Sequence, residues 1–234
     1  MTPRERFLAA LRQQPTDRPC VGNCVSAATV SLMDASGCAF PDAHLDPETM
    51  AGLAATSFEV LGFDTIAPYF SVVLEAAALG CEVNWGRRDM MPDTLTRPFR
   101  TAEDIVIPDD FLHREPVRAL LETLRRLKAR YGDHVALIGK VFGPWTLAYH
   151  LFGLQDFLML TLDNPGEVAR ILERLAPVPL RFAEAQRAVG ADAVTLADHA
   201  TGDLVSGAMY EALLWPWHCR LARESRVPLI LHIC

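Results

Sequence analysis

An imidazole and a thiol stand two residues apart at the end of the apolar run Val227-Pro228-Leu229-Ile230-Leu231-His232-Ile233-Cys234. On a β-strand, residues i and i+2 share a face, so His232 and Cys234 can reach one point in space. A mixed nitrogen and sulfur pair suits zinc, which takes neutral imidazole and thiolate at tetrahedral sites. Such a site needs at least one further protein ligand, and none follows in the sequence. The competing reading is a core histidine beside an inert buried thiol, since free cysteine is among the most buried residue types.

Other reactive side chains fall where apolar runs end. Asp198-His199 closes the run from Ala193 to Ala197. A carboxylate there can act as acid or base, which makes Asp198 the candidate catalytic residue and His199 a candidate substrate contact. A turn residue or the N-cap of the next helix is the plainer account of Asp198. Glu75 lies inside the apolar stretch Val72-Val73-Leu74-Glu75-Ala76, which makes it a candidate buried carboxylate, and so a second candidate for substrate binding, or a helix-surface residue. Lys140-Val141-Phe142-Gly143-Pro144-Trp145-Thr146 holds a Gly-Pro turn into a helix that carries Trp145, Tyr149 and His150; a ligand-facing loop is the functional reading, and turn chemistry the plainer one. Cys20 and Cys24 have no common zinc spacing and are read as structural, while Cys38, Cys81 and Cys219 are isolated.

The elements that must position these groups follow from local signals. Thr2-Pro3-Arg4-Glu5 is a capping box with proline at the first helical position, and predicts a helix to about Gln13. Asp46-Pro47-Glu48 opens another helix that runs toward Leu61. A junction of amphipathic helix, glycine and short apolar strand recurs at Gly62, Gly132 and Gly190, where the glycines fit left-handed helix C-caps. The nearly continuous apolar runs that follow are those of parallel strands buried on both faces. Pro177 and Pro179 should kink or split the long helix between Pro165 and Val189. A single final helix, Ser206 to Glu224, leads to the terminal strand, and Cys81-Glu82-Val83-Asn84-Trp85 predicts a small β excursion.

Helix and strand alternation gives an α/β fold with a parallel sheet. The expected strands lie near 20–25, 63–69, 135–140, 192–197 and 228–234. A (β/α)₈ barrel takes eight strands and roughly 250 residues, so residues 1–234 read as one domain, the first part of a TIM-type barrel whose C-terminal part is missing. In that reading Leu229, Leu231 and Ile233 lack covering helices, and the open strand edge invites self-association. An open doubly wound sheet is the alternative, but no glycine-rich phosphate loop is present.

The composition narrows the function. With 234 residues, 50% hydrophobic content, 22% charged residues and a net charge of −7, the chain reads as a cytoplasmic globular protein. The acidic balance and scattered arginines argue against a nucleic-acid partner. No apolar stretch approaches the roughly 18 residues of a membrane span, and Met1-Thr2-Pro3-Arg4-Glu5-Arg6 starts no secretory signal.

Several segments together resemble the uroporphyrinogen decarboxylase superfamily. They are Arg4-Glu5-Arg6-Phe7-Leu8-Ala9-Ala10-Leu11 leading to Asp17-Arg18-Pro19, Ala78-Leu79-Gly80-Cys81-Glu82-Val83, Gly143-Pro144-Trp145-Thr146-Leu147-Ala148, and Gly190-Ala191-Asp192. Ala28-Thr29-Val30-Ser31-Leu32-Met33-Asp34, Val83-Asn84-Trp85-Gly86 and His232-Ile233-Cys234 resemble its methylcobalamin:coenzyme M methyltransferase branch. The resemblance covers nearly the whole chain. It implies zinc held by His-x-Cys and a distant cysteine, of which only His232 and Cys234 carry over to this chain. It further implies a methyl group moved from a methyl-corrinoid (methylcobalamin), carried by a partner corrinoid protein, to coenzyme M or another small thiol. Some relatives pass methyl groups toward tetrahydrofolate instead. True uroporphyrinogen decarboxylases clamp a substrate rich in carboxylates with arginines. Here Val21 to Ala28 holds no arginine, and Phe70-Ser71 stands where a key aspartate is expected. The alternatives are a decarboxylase acting on another substrate, and a catalytically silent fragment or binding protein.

Overall fold

The computed structural model describes residues 1–233. Cys234 lies outside the described residues. Helices α1 (Pro3–Leu11), α2 (Val30–Ser36) and α3 (Pro47–Glu59) precede the short strand β1 (Thr65–Ile66). Helix α4 (Leu74–Ala78) leads to β2 (Val83–Asn84) and β3 (Asp93–Thr94), then α5 (Glu115–Tyr131) and β4 (Ala136–Phe142). Four helices follow: α6 (Pro144–Phe152), α7 (Leu154–Asp163), α8 (Pro165–Leu175) and α9 (Pro177–Ala188). The described chain then runs through β5 (Ala193–Asp198), α10 (Gly207–Met209), α11 (Trp215–Glu224) and β6 (Leu229–Ile233).

Among the described residues the main sheet has four parallel strands in the order β1-β4-β5-β6. β2 and β3 form the expected small antiparallel excursion. Every residue of β4 and β5 is buried, as the apolar runs require. β6 is half-covered, with Leu231 45% and Ile233 42% exposed. One face of the sheet packs on α1: Phe7 meets Ala67, Ala136, Ile138 and Ala193, with Ile230 beside them. The other face carries Leu137, Val141, Val194 and Leu196 into a larger core beneath the remaining helices. No helix among the described residues is long and apolar enough to cross a membrane.

Local signals act as the sequence leads one to expect at most boundaries. Thr2 and Glu5 form the capping box reciprocally, and the Asp46 carboxylate accepts the Thr49 N–H at 2.7 Å. Pro177 splits the long helix into α8 and α9, with Ala176 between them. Gly62 and Gly190 sit at φ 69° and 114°.

Three expectations are corrected. Gly132 is not a left-handed cap but has φ −63°. Its missing side chain instead leaves room for the Lys128 carbonyl and side chain. The final helix is interrupted by a π turn, Tyr210–Leu214, just before Pro216, whose ring nitrogen cannot donate to a regular helical ladder. The segment 20–25 is not a strand. It runs from β1 across the inner face of the sheet to β5 and, beyond one backbone bond from the Asp64 N–H to the Val21 carbonyl at 2.6 Å, is held by side chains: the Asp64 carboxylate accepts the Val21 N–H at 2.8 Å, and Thr65 Oγ1 accepts the Asn23 N–H at 3.0 Å. Thr195 Oγ1 donates to the Cys24 carbonyl. The parallel sheet therefore shows four of the five expected strands.

Candidate functional site

The reactive side chains gather at the C-terminal ends of the parallel strands, where βα loops carry function in folds of this class. Gly143-Pro144 opens α6 with an N-cap that has no side chain to bond the first turn. Asp198, at the end of the neighbouring β5, supplies that cap from outside the helix. Its Oδ1 accepts the Thr146 N–H at 2.9 Å and the Thr146 hydroxyl at 2.8 Å, and a carboxylate is favoured there by the helix dipole. Its Oδ2 lies 2.8 Å from His218 Nε2 on α11, and His218 Nδ1 lies 3.0 Å from the Tyr210 hydroxyl. A side chain at Gly143 would overlap the Asp198 carboxylate, so only glycine admits this approach.

Asp198 is 1% exposed and shares its face of β5 with Val194 and Leu196, which pack toward the helices. The rim carboxylate expected from the sequence is thus turned into the helix layer and fully engaged there. His199 is half-exposed. Its Nδ1 lies 3.2 Å from the Tyr149 hydroxyl, and its carbonyl accepts the Trp145 indole N–H at 3.1 Å.

Glu75 is a buried carboxyl, not a helix-surface residue, at 1% exposure. It bonds the Tyr69 hydroxyl and accepts the Phe142 N–H at 3.0 Å. Glu75 therefore holds the end of β4 at Phe142, while Asp198 holds the start of α6 at Thr146. Burial pushes the Glu75 carboxyl from its ordinary 4.5 up to about 7, against the Phe142 N–H and the charge of Lys140, which act to lower it. The folded state thus holds this proton more tightly than the unfolded chain. The resulting stability is full below about pH 4.5 and is lost as pH rises through about 7, a change on the order of 3 kcal/mol. Glutamine can make both hydrogen bonds without a charge. In urea titrations Glu75→Gln is expected to flatten this slope and to exceed the parent in stability at about pH 8; parallel profiles would refute the assignment.

Lys140 is 5% exposed. Its ammonium donates to the Ser71 carbonyl at 3.3 Å and lies over the faces of Tyr69, at 4.3 Å, and Phe142, at 5.3 Å. His44 is buried against Phe40, and neither of its ring nitrogens has a hydrogen-bond partner among the described residues. Burial first and the Lys140 charge second push its imidazole down to about 4, so the ring is neutral at physiological pH.

His232 pairs in register with Ala197 and follows Ile230 on the face that packs toward α1. It is half-buried, and no hydrogen bond engages its imidazole among the described residues. The other half of the expected pair, Cys234, lies outside the described residues. Among the described residues no three histidine, cysteine or carboxylate side chains converge as a metal site.

The structure joins Asp198 to His199 through Thr146, whose hydroxyl also accepts the His199 N–H at 2.8 Å. No hydrogen bond links Glu75 to either residue among the described groups. No local pattern singles out His218, Tyr210 or Tyr69, while Lys140 and Thr146 lie in the segment 140–146 that reads as a turn or a ligand-facing loop. For Lys140 a signal exists, since a single charge shares the alternate positions of β4 with the apolar Ile138 and Phe142. For His218 no local pattern points to a carboxylate twenty residues earlier.

The family model for uroporphyrinogen decarboxylase (URO-D) matches residues 2–234. A methylated-thiol–coenzyme M methyltransferase of Methanosarcina mazei is 33% identical over 100% of this chain and 64% of its own length. A methylcobamide:CoM methyltransferase, MtbA, of Methanosarcina acetivorans is 32% identical over 100% of this chain and 70% of its own. A solved structure of a methyltransferase from Methanosarcina mazei superposes with a TM-score of 0.94 at 30% identity, covering 100% of this chain and 70% of that one. The chain thus spans about two thirds of the length of these relatives, and 64% of the first. It belongs to the uroporphyrinogen decarboxylase family and groups there with the methylcobamide:CoM methyltransferases.

Proposed function

We propose that this chain forms the first strands of a TIM-type barrel, one domain over residues 1–234, in an enzyme that moves a methyl group from a methyl-corrinoid to a thiol. The observation that carries the reading is His232, on the inward face at the strand ends and with no hydrogen-bond partner for its imidazole among the described residues, in a chain whose relatives are named for methyl transfer to coenzyme M. In this reading His232 and Cys234 hold zinc together with ligands from elsewhere in the protein. Zinc, when bound there, supplies a positive charge that lowers the acceptor thiol's pKa toward neutrality.

The chain's own residues position the rest. Asp198 acts through structure, fixing α6 and α11 against β5 so that His199 and Tyr149 present a polar edge at the rim. Glu75 and Tyr69 shape the floor beside β4 without meeting solvent. A corrinoid protein is the expected donor partner. That partner's methyl-corrinoid would supply the electrophilic methyl group to the acceptor sulfur and would keep the electron pair of the cobalt–carbon bond. A porphyrinogen substrate is disfavoured, because Phe70 and Ser71 are buried apolar and hydroxyl side chains where a reactive carboxylate would be needed. The test is conversion of methylcobalamin by the full-length, zinc-loaded protein with coenzyme M or dithiothreitol as acceptor. Thiol-dependent loss of the methyl–cobalt absorbance is expected, and its absence with every thiol would overturn the reading.

A further inference from the structure

We propose that α7 is the centre of a two-fold interface on which a second copy of this chain packs. The inference stands apart from the methyl-transfer reading and does not depend on it.

The sequence of α7, Leu154-Gln155-Asp156-Phe157-Leu158-Met159-Leu160-Thr161-Leu162-Asp163, is apolar on nearly every side. A helix that is apolar all round belongs in a core. Yet only Phe157 and Thr161 are buried, one turn apart, while α6 and α8 pack alongside. Leu154, Met159 and Leu162 are 40%, 50% and 72% exposed. Leu154, Leu158 and Leu162 stand four residues apart and so form one ridge along the helix. Single exposed leucines are ordinary, but a contiguous apolar ridge marks an interaction surface.

Beside the ridge lies a groove of about 150 Å³, lined by Phe99, Phe152, Phe157 and Leu160. That is room for one large apolar side chain. The groove also carries one charge of each sign, Arg100 and Asp156. Both residues are exposed, and neither the guanidinium nor the carboxylate has an ion-pair partner among the described residues.

These features select a second copy as the occupant. A two-fold axis crossing between the two charges sets each Arg100 against the Asp156 of the other copy. The same rotation lays each apolar ridge toward the other's groove, so both surfaces are covered at once. The remainder of the protein is a poorer candidate. α7 belongs to the connection between β4 and β5, which are neighbours inside the sheet, whereas the open edges are β1 and β6. Further strands join at those edges, away from α7.

The experiment follows the full-length protein by analytical ultracentrifugation from about 1 to 200 µM, a range that brackets dimers of modest interface area. A monomer–dimer equilibrium is expected. Leu162→Glu changes a largely exposed side chain, so the fold should tolerate it, and it is expected to weaken the dimer by about 100-fold. Arg100→Asp and Asp156→Arg are each expected to weaken it by about 10-fold, and the double variant to recover most of that loss, because the opposed charges are then exchanged. Circular dichroism at the lowest concentration checks that each variant is folded. A parent that stays monomeric across the whole range would overturn the proposal. So would a dimer that Leu162→Glu leaves unchanged, or charge variants whose losses simply add in the double variant. Should Leu162→Glu misfold, Met159→Glu on the same helix carries the test. A parent that is monomeric alone but binds a different protein through α7 would also overturn it, by giving the ridge to that partner.

Discussion

His232→Ala in the full-length protein is expected to lose its bound zinc and to slow methyl transfer by about 10³-fold, equivalent to about 4 kcal/mol of barrier. The magnitude follows from two contributions. A free thiol with an ordinary pKa near 8.5 is only a few per cent thiolate at pH 7, so losing the local positive charge alone costs a factor of about 30. The remainder comes from losing the anchor that holds sulfur near the strand ends, since positioning contributes strongly to two-substrate reactions. The imidazole accepts no hydrogen bond that its removal would orphan among the described residues, so the fold should tolerate alanine. The variant's residual rate should climb with pH toward about 9, whereas the parent's should be flat above neutrality. Metal analysis and a pH–rate profile check this. Undiminished zinc, or parent-like rates at pH 7, would remove His232 from the site.

Asp198→Ala is expected to destabilise the full-length protein by about 3–5 kcal/mol, because it strands a buried hydrogen-bond cluster. The substitution removes the partner of the Thr146 N–H, the Thr146 hydroxyl and His218 Nε2 together. Asp198→Asn should cost much less, about 1–2 kcal/mol. Its carbonyl oxygen can still accept from Thr146, and its amide can donate to His218 if that ring adopts the tautomer protonated at Nδ1. Denaturant midpoints measured on both variants separate the two roles that Asp198 could play. A positioning carboxylate gives a stability loss that dominates and activity that survives in the asparagine variant. A stable Asp198→Asn protein with transfer abolished would restore the acid–base role first read from its place at the end of β5.

The two carboxyl groups that hold the end of β4 and the start of α6 also explain why the site resists local reading. Glu75 finds Phe142 sixty-seven residues later, and Asp198 finds Thr146 fifty-two residues earlier. Each lies in an apolar stretch that says only that the residue is buried. Whether burial means catalysis, capping or proton storage depends on which strand comes to lie alongside.

What the sequence by itself determined was local or collective. The capping box at Thr2, the Asp46 cap, the split at Pro177 and the left-handed glycines at Gly62 and Gly190 follow from backbone geometry within a few residues. The buried parallel strands follow from continuous apolar runs, and the family from motifs spread along the chain. Tertiary structure alone decided the rest. Segment 20–25 has strand-like composition, yet it crosses the sheet because Asp64, Thr65 and Thr195 offer it side-chain partners in place of a ladder. Asp198 turns into the helix layer, and Lys140 toward the face of His232, through the register of β4, β5 and β6. Register is a property of paired strands, and shifting it by one residue reverses every side chain, so no window of sequence contains it.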